Sequence, residues 1–224
     1  MRLLLPLLFA ANSVFAHTVK GRDAAFLKSV TGPHAGPFLY LGAKHMVTGY
    51  DHLLFLFGVI FFLYRMRDVA IYVTCFAVGH SITLLTGVLS GIHVNPYIVD
   101  ALIGLSVVYK AFDNLDGFKT LLGFQPNTKL AVLVFGLIHG FGLATKLQEF
   151  NLSTNGLVAN MISFNVGVEL GQLVALSLIL LAMTLWRRTD GFLHHAVLAN
   201  VVLMTAGFIL MGYQLAGYAW GAAA

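Results

Sequence analysis

Charge is what this chain has least of. Only 10% of its 224 residues are Asp, Glu, Lys or Arg, against roughly 25% in soluble proteins. Apolar residues make up 58%, and the mean hydropathy is +0.85. A water-soluble fold of this size lacks the polar surface to cover such a core, so the expected solvent is lipid. Cysteine is almost absent: Cys75, within an apolar run, is the single one. That excludes a disulfide framework and a thiolate metal cluster. No basic run accompanies the net charge of +4. The scattered Lys and Arg beside apolar segments fit membrane topology better than nucleic-acid binding.

What is present is a leader and six long apolar runs. Residues 1–16, MRLLLPLLFAANSVFA, pair Arg2 with a short apolar stretch and end on small residues, the layout of a secretory signal cleaved after Ala16. The alternative is an uncleaved first anchor. Residues 17–44 carry Lys20, Arg22, Lys28 and Lys44 and the Gly-Pro-rich TGPHAGP. They are expected to form an external tail with one short interfacial helix. The runs lie near 46–64, 69–90, 96–112, 129–146, 156–186 and 192–215. Each approaches the ~20 residues needed to cross hydrocarbon. The fold expected is all-α: a polytopic bundle of six transmembrane helices over 45–224, in one domain. With the amino terminus outside, Arg65, Arg67, Lys110, Lys119, Lys129, Arg187 and Arg188 face the cytoplasm, and Lys146 alone lies in an external interhelical loop. This bias places both mature termini outside the cytoplasm.

Ionisable residues inside apolar runs carry the functional signal, because one charge at the bilayer centre costs at least about 2.5 kcal/mol. The first run contains His45, Asp51 and His52, with the two histidines two helical turns apart. The second contains His80 and Ser81, the fourth His139 among Gly136, Gly140 and Gly142, and the fifth Asn165, Glu169 and Gln172 at i, i+4 and i+7. Asp100, at the outer start of the third, either joins this set or faces the headgroups. The counted depths place the groups in one layer, at mid-membrane or slightly outward. Imidazole with carboxylate suits a divalent transition ion, and Ni, Zn, Co and Cu are not distinguished by it. The expected ligands are His45, Asp51, His52, His80, His139 and Glu169, with Ser81, Asn165, Gln172 and Asp100 as supporting polar groups. The competing reading is that these residues only hydrogen-bond neighbouring helices. A Ser–His dyad is not expected, since His80 and Ser81 are adjacent and point about 100° apart on a helix.

His45-x5-Asp51-His52, Gly79-His80-Ser81, His139-Gly-Phe-Gly and the stretch Phe164–Gln172 together resemble the HupE/UreJ family over nearly the whole mature chain. The resemblance implies a small bacterial membrane protein of the kind associated with hydrogenase and urease gene clusters, acting as a nickel permease or accessory protein. It implies His45, Asp51 and His52 as metal ligands, while the family's second, histidine-richer motif carries over only to His139. The function expected is a permease or delivery protein for nickel or another divalent cation. An intramembrane zinc-dependent hydrolase and a non-catalytic membrane subunit are the alternatives. The expected partners are the metal ion and the bilayer, with a metalloenzyme-maturation protein or a second copy of the chain as protein partners.

Overall fold

The structure is a computed structural model that describes residues 22–221. The signal-peptide cleavage expected after Ala16 lies outside the described residues. Every regular element among them is a helix: α1 (Arg22–Ser29), α2 (Ala35–Thr48), α3 (Tyr50–Ile60), α4 (Met66–Ser90), α5 (Pro96–Asn114), α6 (Gly117–Leu122), α7 (Thr128–Gln148), α8 (Leu157–Arg187) and α9 (Gly191–Gly221). Local chemistry sets several boundaries. The Asn95 side chain accepts from the Tyr97 and Ile98 amides before Pro96 opens α5. Asn127 does the same for Lys129 and Leu130 at the start of α7. These caps satisfy amides that have no partner within the helix. Gly91, left-handed at φ 64°, ends α4, a conformation that favours glycine.

Four helices, α4, α7, α8 and α9, are long and apolar enough to cross a membrane. They match the second, fourth, fifth and sixth apolar runs. The bundle is built from three extensive pairings, α4 with α7, α2 with α8 and α5 with α9. Small residues let the backbones meet in each. A Cβ added at Gly79 would stand 2.5 Å from the Leu133 carbonyl, one at Gly171 2.6 Å from that of Ala43, and one at Gly104 2.7 Å from the Met211 amide. In lipid, such close packing is a main source of helix association. Gly167→Val, which would press on the Leu39 and Ala43 backbone, is expected to destabilise the α2–α8 pair by about 1–3 kcal/mol. Thermal unfolding in detergent reads the loss, and Gly167→Ala should lose less.

The first apolar run departs most from expectation. It is two helices, not one. α2 begins at Ala35, so residues 35–44 belong to the bundle and not to the external tail. Phe38, Leu41 and Met46 are buried, and Gly42 and Ala43 let α2 lie against α8. The helix breaks at Gly49, whose backbone is extended (φ −74°, ψ 94°). α3 then runs for only 11 residues, about 16 Å at 1.5 Å per residue, half of a hydrocarbon core. It contacts α2, α5, α8 and α9, and Phe55 meets the rings of Phe76 on α4 and Phe135 on α7. The short helix therefore stands where the three pairs converge. Its carboxyl end is satisfied by other elements: the Arg187 guanidinium donates to the carbonyls of Ile60, Phe61 and Leu63, and Asn114 Nδ2 donates to that of Gly58 at 2.9 Å. Broken helices persist at membrane depth only where such partners exist.

Candidate metal centre

The break at Gly49 turns the amino end of α3 toward the bundle axis. Asp51 Oδ1 accepts from its neighbour's backbone, His52 N–H, at 2.7 Å, and lies 2.7 Å from His52 Nδ1. The imidazole therefore donates from Nδ1 to the carboxylate, and Nε2 carries the lone pair when the ring is neutral. Both side chains fold back over Gly49, where a Cβ would stand 2.9 Å from His52 Nδ1 and 3.3 Å from Asp51 Oδ1. Gly49 is thus part of the site, and sequence reasoning missed it. The available signal was a glycine one helical turn after His45 in an otherwise apolar run.

His52 is the hub of an imidazole cluster. Its ring centroid lies 5.1 Å from that of His45 on α2, 5.0 Å from that of His139 on α7 and 6.2 Å from that of His80 on α4. His80 and His139 sit at the middles of their helices. Phe55 and Phe76 wall the cluster, both against His139. His52, His80 and His139 are almost fully buried, and His45 is half-buried. His139 Nδ1 donates to the Phe135 carbonyl at 2.7 Å, so Nε2 likewise carries the lone pair when the ring is neutral. Neither ring nitrogen of His80 has a hydrogen-bond partner among the described residues. A buried polar group left without a partner costs about 1–3 kcal/mol.

The donors are of the kind that suits a divalent transition ion, and two of the three ring separations, 5.1 and 5.0 Å, are near that of two imidazoles on one ion. Two imidazoles on one tetrahedral ion, at metal–nitrogen distances near 2.0–2.1 Å, hold their centroids roughly 5 Å apart. An Nδ1–H held by a carboxylate or a carbonyl is the usual outer support of a metal-binding histidine. Orientation is another matter. The ring pairs meet edge-to-face, at 66–77°, and no group of three or more His, Cys, Asp or Glu is placed to close on an ion among the described residues. The imidazoles are gathered but not converged.

Glu169, Ser81, Gln172 and Asp100, expected as participants, border other features. Asn165 and Gln172 are buried, and Gln172 Nε2 reaches the Val73 carbonyl at 3.5 Å. Glu169, expected as a ligand beside them, is exposed. It lies about 40° around α8 from Asn165, past the edge of the buried stripe. There it borders a groove of about 390 Å³ between α4 and α8, together with Thr74, Ser81 and Gln172, with Ser81 Oγ 3.5 Å from Glu169 Oε1. Ser81 therefore turns into the groove while His80 turns into the cluster, as their adjacency on a helix requires. Asp100 is in neither place and pairs with Lys146. Given its position, Glu169→Gln is expected to leave Ni²⁺ affinity within about twofold of the parent, as for an exposed position off the site. Equilibrium dialysis of the purified variant checks this, and a tenfold loss would restore Glu169 to the ligand set.

A helical membrane protein with a carboxylate-supported imidazole cluster at its centre is the class that this fold and site define. The family model described as HupE / UreJ protein matches residues 21–222, nearly the whole chain, and the chain belongs to that family. No curated protein and no solved structure matches it.

Proposed function

We propose that the protein is an inner-membrane carrier for a divalent transition cation, a permease or delivery protein for nickel or a similar ion. Family membership supports a metal-related membrane role. The observation that carries the reading is the cluster itself: four histidines from four helices, His52 tied to Asp51, and His80 buried without a hydrogen-bond partner among the described residues. His45, Asp51, His52, His80 and His139 are the proposed site. An all-imidazole cage already aimed at an ion would hold it tightly. Rings that must rotate to close on it give a weaker, transient site, which suits transport because the ion has to leave again. The ion is cargo, and any driving force is its gradient or the membrane potential.

The proposed arrangement in the bilayer has six spans. α4, α7, α8 and α9 are four, α5 is another, and α2 with α3 together form a broken one. Arg187 reaches the end of α3, and Lys146 reaches the start of α5, so these basic residues occupy opposite ends of the bundle. The positive-inside bias then puts the Arg187 end in the cytoplasm, the Lys146 end in the periplasm and both mature termini outside. The test is uptake by the full chain reconstituted in lipid vesicles, with Ni²⁺ and Zn²⁺ offered separately. The parent should accumulate at least one of them, and Asp51→Asn should not. Equal uptake by well-folded Asp51→Asn would refute the site.

A further inference from the structure

Outward from the imidazoles, Tyr50, Asp51, Asp100, Lys146, Leu210 and Gln214 line a cavity of about 20 Å³, room for roughly one water-sized particle. Its walls come from α3, α5, α7 and α9, so it lies where the short helix meets the outer end of the bundle. Lys146, in the last turn of α7, donates from Nζ to both carboxylate oxygens of Asp100, at 2.9 and 2.8 Å. Their side chains are 20% and 16% exposed, so the pair is largely enclosed yet touches solvent. On the same cavity Asp51 presents the carboxylate that holds His52. Asp51 thus borders both the cavity, beside Asp100, and the His52 ring. Among the described residues, the cation lining the cavity is the Lys146 side chain, which occupies the Asp100 carboxylate.

We propose that Lys146 is a tethered competitor that sets selectivity for divalent over monovalent cations, with Asp100 as the entry ligand. The inference rests on the carrier reading and adds an entry step to it. Without an arriving ion, the ammonium neutralises Asp100 and closes the mouth. A divalent cation carries twice the charge, attracts the carboxylate more strongly and displaces the ammonium, which can swing outward on its four-carbon stem. A sodium or potassium ion gains nothing over the ammonium already there, and is turned away. The step needs a lysine. An arginine would keep the charge but grip the carboxylate with two parallel hydrogen bonds, and would yield more slowly.

The experiment measures Ni²⁺ affinity by equilibrium dialysis and Ni²⁺ association by stopped flow on the full chain, with K⁺ as competitor. Lys146→Gln should bind Ni²⁺ about tenfold more tightly, within the usual range of coupling between neighbouring sites, and should become sensitive to K⁺. Asp100→Asn should bind it more weakly, and the double variant should return toward the parent. Lys146→Arg should unfold at the parent's temperature but admit Ni²⁺ several-fold more slowly, an effect that a merely structural pair would not produce. It also decides the matter if the uncharged variant fails to fold. A parent that binds Ni²⁺, loses it in His52→Ala and is indifferent to every change at Lys146 overturns this inference alone. A well-folded parent that binds neither Ni²⁺ nor Zn²⁺ overturns the carrier reading and this inference with it.

Discussion

His52→Ala is expected to lower affinity for Ni²⁺ or Zn²⁺ by roughly 100-fold or more and to abolish vesicle uptake. The magnitude follows from its place in the cluster, since loss of an outer support alone typically weakens a metal site by 10- to 100-fold. The His52 ring meets those of His45, His80 and His139. It is also the one whose orientation Asp51 fixes. Its removal takes out the shared ligand and the ring that Asp51 Oδ1 meets at 2.7 Å. His45, half-buried at the edge of the cluster, should matter less, and His45→Ala is expected to cost about tenfold. Dialysis and uptake on matched, well-folded preparations check both. Equal losses for the two variants would mean that His52 is not the hub.

The second large effect is on stability. Arg187→Gln is expected to destabilise the fold by about 3 kcal/mol, from several partly buried carbonyls losing a charged donor. For a chain of this size that lowers the unfolding temperature by roughly 10 °C. The reason is the shortness of α3. α3 has no following helical turn to cover its last carbonyls, and Arg187 satisfies those of Ile60, Phe61 and Leu63 while stacking over Tyr64 at 4.8 Å. Arg187→Lys keeps one charge but not the fork, and should recover only part of the loss. Differential scanning fluorimetry in detergent measures the series. An unchanged unfolding temperature in Arg187→Gln would show that α3 is held by its apolar contacts alone.

The long helices were legible because lipid imposes a simple length rule. The limits 69–90, 129–146, 156–186 and 192–215 fall within a few residues of α4, α7, α8 and α9. The break in the first run was not legible, because hydropathy is blind to it. Gly49 interrupts neither the apolar composition nor the seven-residue spacing of His45 and His52. Lys44 and the Gly-Pro patch disguised the start of α2, although Pro37 falls in its first turn, where a missing amide does no harm. The histidines and Asp51 could be gathered from sequence because each was a polar residue inside an apolar run. Glu169 met the same criterion and was misplaced. Helical arithmetic defines a stripe, but only packing decides which edge of it is buried. The Asp100–Lys146 pair was out of reach altogether, because its members are 46 residues apart and each reads singly as a residue at a helix end.

The most direct test of the central claim is the X-ray absorption spectrum of the full chain loaded with Ni²⁺ or Zn²⁺. The expected spectrum has a first shell of nitrogen and oxygen without sulfur, with the outer-shell scattering of at least two imidazoles and, for zinc, nitrogen near 2.0–2.1 Å. That imidazole signal should be lost in His52→Ala and retained in Glu169→Gln. A shell of oxygen alone, or a spectrum unchanged by His52→Ala, would contradict it.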